Sequence, residues 1–254
     1  ITMPASATNL SNCFAGISTL NNKNWIVFQE DSISTVMNRP IPGCASNFAN
    51  AIDMSNAFAR TRMAGSLKYG ENVTNISHMC EYTANDYTFY IPNCGNNVTD
   101  MSYAFRNCSG FPVIKDSPGM TPIRFCGPKV TNMAYAYAYC TNLFNDGSSD
   151  RFIEYNTICG NKVTNMSGAF RKVGVFYNKF YTDNYNIYRP MFTSLNAFCG
   201  PYVEDMSNAF RDTELTGAAA CGDLVQNMAY TYAGCKWLMD ASCGVNVTNF
   251  QGAF

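Results

Sequence analysis

One eight-residue phrase, Val-Thr-Asn-Met-Ser-x-Ala-Phe, is written nine times along the 254 residues, and nothing else in the chain limits its fold as much. The copies are "ATNLSNCF" at Ala7, "AIDMSNAF" at Ala51, "VTNISHMC" at Val73, "VTDMSYAF" at Val98, "VTNMAYAY" at Val130, "VTNMSGAF" at Val163, "VEDMSNAF" at Val203, "VQNMAYTY" at Val225 and "VTNFQGAF" at Val247. The shortest spacing occurs three times, from Ala51 to Val73, from Val203 to Val225 and from Val225 to Val247, and every other interval is longer. That spacing makes the unit about 22 residues, and longer gaps carry insertions. A unit this small cannot bury its own apolar face, so neighbours must stack.

Within the unit, "CKWLMDASCGVNV" from Cys235 to Val247 sets Ala241 and Cys243 in alternation with Ser242 before a glycine, the period-two pattern of a short strand. Asn or Asp stands third in all nine copies, directly before an apolar residue, where a helix needs a side-chain oxygen for its first N–H groups. Asn165 and its equivalents are thus predicted N-caps. Met166, Ala169, Phe170 and Val173 follow at i, i+3, i+4 and i+7, one helical face. The prediction is an α/β repeat solenoid forming a single domain over 1–254, with a parallel β-sheet on one face and short helices opposite. At about 4.8 Å per strand, nine units make a rod roughly 40 Å long. The cysteines before glycine (Cys94, Cys126, Cys159, Cys199, Cys221, Cys243) then fall above one another as an inward ladder. Side chains pointing the same way from adjacent parallel strands rarely meet the disulfide dihedral, so buried thiols are expected.

These words resemble the BspA-like leucine-rich repeats of bacterial and viral surface proteins, whose units run from an I-x-I-P strand into V-T-x-I-x-x-x-A-F-x-x-C-x-x-L. "ITMPASATNLSNCF" keeps that frame from Ile1, while Cys-Gly replaces Ile-Pro elsewhere and the insertions are long. The resemblance implies a leucine-rich-repeat-like fold and a non-enzymatic surface for adhesion or host recognition, with no particular ligand.

Relative to the shortest unit, the extra lengths are 3 before Cys94, 10 before Cys126, 11 before Cys159 and 18 before Cys199. The insertions span 20–43, 84–93, 109–125, 141–158 and 174–198, and are expected to emerge along one edge as a continuous surface. The largest, "VFYNKFYTDNYNIYRPMF", holds seven aromatics among Asn, Thr and Lys. Such rings close a second small core or make flat, adaptable ligand contact; the candidate ligand-binding residues are Tyr177, Tyr181, Tyr185 and Tyr188. The gap between Ala7 and Ala51 is twice the unit, leaving room for a degenerate repeat around Trp25 to Asn38.

Charge argues against several functions. The formal net charge is -1 and charged residues make up 14%, so no sign excess draws the chain to nucleic acid or to an anionic membrane, and no apolar run approaches a membrane span. His78 is the single histidine, in the variable position of "VTNISHMC", and no recurring carboxylate orients it. No nucleophile elbow, phosphate loop or H-E-x-x-H appears, and no C-x-x-C pair suggests zinc. Asp53, Asp100 and Asp205 lack a second ligand set for calcium. The sequons at Asn9, Asn72, Asn75, Asn97, Asn107, Asn165 and Asn246 mostly arise from the repeat words themselves. The expectation is a non-enzyme without catalytic residues, metal or other cofactor, exposed on a cell or virion surface, that binds a surface glycan or protein receptor. The rival is a fibre or filament protein assembled through its insertions. Neither end carries a polar capping repeat, so each end layer is expected to be covered by further polypeptide, another domain or a copy associated head to tail.

Overall fold

The computed structural model describes residues 6–16, 26–28, 48–65, 70–85, 95–108, 126–141, 159–173, 200–213 and 215–254. Nearly all of the insertions, and with them Cys94 and Cys199, lie outside these residues.

The third residue of each motif forms a parallel bridge with the third residue of the next, in an unbroken series: Asn9, Asp53, Asn75, Asp100, Asn132, Asn165, Asp205, Asn227 and Asn249. The nine motifs are therefore neighbours in space, here numbered coils 1 to 9, whatever length of chain separates them. Asn9 bridges Asp53 directly, so these two motifs are adjacent, and of the stretch from Trp25 to Asn38 expected as a degenerate repeat only Ile26–Phe28 lies within the described residues. That segment, β1 (Ile26–Phe28), pairs in parallel with β2 (Arg62–Gly65), and β2 with β3 (Ala84–Asn85). At the other end, β4 (Thr216–Ala220) pairs in parallel with β5 (Trp237–Ser242), with a register shift between Gly217 and Ala218.

No helix occurs among the described residues, and the predicted short helices after Asn165 and its equivalents are corrected to reverse turns. Coil 6 shows why. The N–H groups of Met166, Gly168, Phe170 and Lys172 donate to carbonyls of coil 7, at Asp205, Ser207, Ala209 and Arg211, over 2.7–2.9 Å. Those of Ala169, Arg171 and Val173 donate three residues back within the coil, while Thr164 and Asn165 both donate to Thr131 of coil 5. Only the N–H of Ser167 is left, and the Asn165 side-chain oxygen accepts it at 2.9 Å. Every donor of the segment is thus satisfied without a helix. The same contact to the N–H two residues on recurs in all nine coils at 2.8–3.3 Å. Asn and Asp stand there because a short side-chain acceptor closes an Asx turn where neither coil offers a carbonyl.

The four apolar positions face inward all the same: Met166, Ala169, Phe170 and Val173 are all fully buried. Each stacks on its counterpart. Along the aromatic column, ring centroids lie 5.4 Å apart for Phe105 and Tyr137, 5.6 Å for Tyr137 and Phe170, 5.8 Å for Phe170 and Phe210, and 6.0 Å for Phe210 and Tyr232. Coil 3 departs from this, with Met79 and Cys80 where the other coils have a small residue, most often Ala, and then Phe or Tyr; enlarging one side chain while shrinking its neighbour keeps the enclosed volume, and both stay buried.

Cysteines occupy two columns, of which the sequence suggested one. In the Cys-Gly column Cys159 is buried, Cys126 and Cys221 are half-buried, and Cys243 in coil 9 is exposed, so the ladder is not uniformly inward as expected. The second column stands three residues after the aromatic. There Cys108, Cys140 and Cys235 reach a carbonyl of the preceding coil, at Cys80, Phe105 and Phe210, over 2.8, 2.8 and 3.1 Å. Thr83 and Thr213 make the same contact at 3.1 and 2.6 Å. Thr and Cys share this column because each is a small side chain with one proton to donate, while coil 6 places the apolar Val173 there. Burial pushes the Cys80 and Cys108 thiols far above their ordinary range and Cys235 up to about 12. Such thiols are poor nucleophiles.

Candidate binding surface

Turning the chain back every few residues gives the motif a recurrent outward position, the one before Ala. It is His78, Tyr103 and Tyr135 in coils 3, 4 and 5. Hydrogen bonding between coils sets the spacing, and the rings stack nearly parallel, His78 on Tyr103 at 4.6 Å and Tyr103 on Tyr135 at 5.1 Å. Each of the three takes a positive φ, between 53° and 57°. That conformation costs an L-residue roughly 1–2 kcal/mol. Ring stacking returns about 0.5–1.5 kcal/mol, so the inter-coil hydrogen bonds carry the balance.

In coil 6 the position is Gly168, at φ +60°, and a Cβ there would run into the Tyr135 ring. The glycine is needed twice over, for its backbone angle and for the ring that covers it. Gly168→Ala is expected to lower stability by about 1–2 kcal/mol, read as a shift in the urea midpoint at constant slope. A midpoint unmoved by the substitution would contradict this packing.

Beside this stack lie the two positions that follow the aromatic column: Glu81 and Tyr82, Arg106 and Asn107, Ala138 and Tyr139, Arg171 and Lys172. Glu81 accepts from His78 Nδ1–H at 2.7 Å and from Arg106 at 3.3 Å, which places the imidazole proton on Nδ1. The Arg106 guanidinium carbon is 5.5 Å from the Tyr103 ring centre. Because both faces of Tyr103 are occupied by His78 and Tyr135, the guanidinium meets its rim, the electropositive part of the quadrupole, and gains little there. Tyr139 is placed differently. Its ring stands in coil 5 between Arg106 of coil 4, at 5.8 Å, and Arg171 and Lys172 of coil 6, at 5.5 and 5.7 Å. Among the described residues no carboxylate pairs with Arg171 or Lys172, and the Nε atoms of Arg106 and Arg171 are buried without a hydrogen-bond partner. The arrangement is a ribbon of tyrosine rims and phenols with a cationic knot at one end, suited to holding a polar, anionic surface.

Tyr177, Tyr181, Tyr185 and Tyr188 lie outside the described residues. The ribbon ends next to their segment, since Lys172 precedes it by two positions. Sequence reading passed over Tyr103, Tyr135, Tyr139, Arg106, Arg171 and Lys172 because each occupies a variable position. Aligning those variable positions across copies 3 to 6 would have revealed them as columns. Among the described residues no group of three or more His, Cys, Asp or Glu converges as metal ligands would, and no helix is long and apolar enough to cross a membrane. Comparison with protein families, with curated proteins and with solved structures gives no match for this chain.

Proposed function

We propose that the chain is a non-enzymatic recognition module displayed on a cell or virion surface, a leucine-rich-repeat-like solenoid of the BspA-like kind that binds a surface glycan or protein receptor. The observation that carries this reading is the ribbon from His78 to Lys172: aromatic and cationic side chains held outward at fixed spacing by backbone bonded from coil to coil. A scaffold of that kind presents side chains with little ordering left to do on binding, which favours recognition. Cohesion inside and display outside are divided between alternate positions of one motif. The Tyr- and Asn-rich segment of 174–198 follows Val173 directly in sequence and carries residues of the same chemistry.

Alanine replacement of Tyr177, Tyr181, Tyr185 and Tyr188 tests the reading. Each ring that touches the partner is expected to cost about 1–2 kcal/mol of binding, measured as attachment to glycan-coated or receptor-bearing surfaces. Attachment unchanged by all four replacements, in a protein that still folds, would remove this segment from the binding surface.

A further inference from the structure

We infer that the cationic knot around Tyr139 is a binding site for the acidic groups of an extended polysaccharide, carboxylated or sulfated, with Arg171 and Lys172 as its anion-holding residues. The inference rests on the recognition reading and specifies its ligand.

Cations are sparse in this chain, 17 Lys and Arg in 254 residues, and the net charge is -1. Even so, three of them converge on one ring centre, at 5.8, 5.5 and 5.7 Å. The single carboxylate of the ribbon, Glu81, is already engaged by Arg106 and His78. Arg171 and Lys172 thus stand at adjacent positions against the half-buried Tyr139 ring, and the carboxylate of the next coil, Asp212, lies beside Arg211 at 3.7 Å, so the mutual repulsion of the two cations remains. An incoming anion relieves that repulsion. The Arg171 guanidinium offers a planar fork for a carboxylate or sulfate, and the exposed Lys172 ammonium adds a point charge beside it.

The rest of the ribbon selects among anionic polymers. Nucleic acid is held by open aromatic faces on which bases stack and by cations tracking the backbone. Here Tyr103 has a ring on each face, and Tyr135 is covered by Tyr103 on one side and Gly168 on the other, leaving rims and phenols for contact. Rims and phenols suit sugar hydroxyls. The coil-to-coil step of these rings, 4.6 to 5.1 Å, is close to one sugar unit in an extended chain, so successive sugars can meet successive coils. The cations are gathered at one end, as a glycan with intermittent acidic groups requires.

The test measures binding of the full chain to hyaluronate, heparin, uncharged dextran, double-stranded DNA and vesicles of phosphatidylserine with phosphatidylcholine. Hyaluronate or heparin is expected to bind, the stronger of the two identifying carboxylate or sulfate as the recognised group, and dextran is expected to bind at least tenfold more weakly. Arg171→Gln with Lys172→Gln should weaken the acidic-glycan complex about tenfold or more, as loss of two charge-assisted contacts does. Lys162→Gln, a charge removal at an exposed position before the motif, should leave it unchanged. Equal binding by the double variant overturns the site, and so does failure of the wild type to bind either acidic polysaccharide, or tighter binding to DNA or vesicles. If the wild type binds a neutral glycan or a protein receptor but neither hyaluronate nor heparin, the recognition reading stands and the anion site falls. If the wild type attaches to no glycan and no receptor-bearing cell, both fall.

Discussion

Phe170→Ala is expected to lower stability by about 3–5 kcal/mol, the range for deleting a fully buried aromatic ring whose site cannot collapse. Phe170 has no exposed surface and lies between Tyr137 at 5.6 Å and Phe210 at 5.8 Å, with ring planes 7° and 9° from parallel. Its removal leaves a gap bounded by two coils whose separation is held by backbone hydrogen bonds, including that from Phe170 N–H to Ala209 at 2.8 Å, so neither neighbour can move in to fill the space. Because each coil touches only the next, the loss should also divide the stack, with coils 1 to 5 and coils 7 to 9 unfolding at separate denaturant midpoints. Fluorescence and hydrogen exchange across a urea series would read both effects. A loss well below that range, with one shared transition, would mean that the aromatic column is not what binds the coils together.

Stability is expected to hold steady up to about pH 8.5 and then fall steeply, by about 1.4 kcal/mol per pH unit for each thiol that keeps its proton only in the folded state. Desolvation raises Cys80 and Cys108 far above the ordinary thiol range, and Cys235 to about 12. An unfolded chain releases these protons near pH 8.5–9, whereas the folded chain retains them. The stabilisation is therefore complete below the unfolded value and is lost as pH rises toward the folded ones. Cys108→Thr and Cys235→Thr isolate the cause, because Thr83 and Thr213 already occupy that column and donate to the same carbonyl position. Each replacement should make the alkaline fall shallower by about 1.4 kcal/mol per unit while leaving the stability at pH 7 nearly unchanged. Urea midpoints at several pH values between about 7 and 10.5 would show it. An alkaline slope identical in wild type and both variants would place the lost protons elsewhere.

Much of this molecule is legible in the repeat alone. Nine copies of one phrase identify the residues that share a column. The inward facing of Met166, Ala169, Phe170 and Val173 follows from their spacing, and the invariant Asn or Asp is marked as a side chain that captures a stray backbone N–H. Those are local properties, written in the period and in the chemistry of short polar side chains. What encloses them was not local. A chain of tight turns brings its apolar residues to one side at nearly the same interval as a helix, so periodicity could not separate the two. The choice was made by hydrogen bonds to residues a whole repeat or more away, which together with the local turns give every N–H from Thr164 to Val173 a partner and leave a helix nothing to add. The same stacking decided that Asn9 meets Asp53 with no coil between, that Thr83 and Cys108 of one column donate to the corresponding carbonyls of the coil before, and that Arg106, Arg171 and Lys172 meet at Tyr139. In sequence those three cations are ordinary members of variable positions. Only when coils 4, 5 and 6 lie one ring's thickness apart does their charge add up in one place.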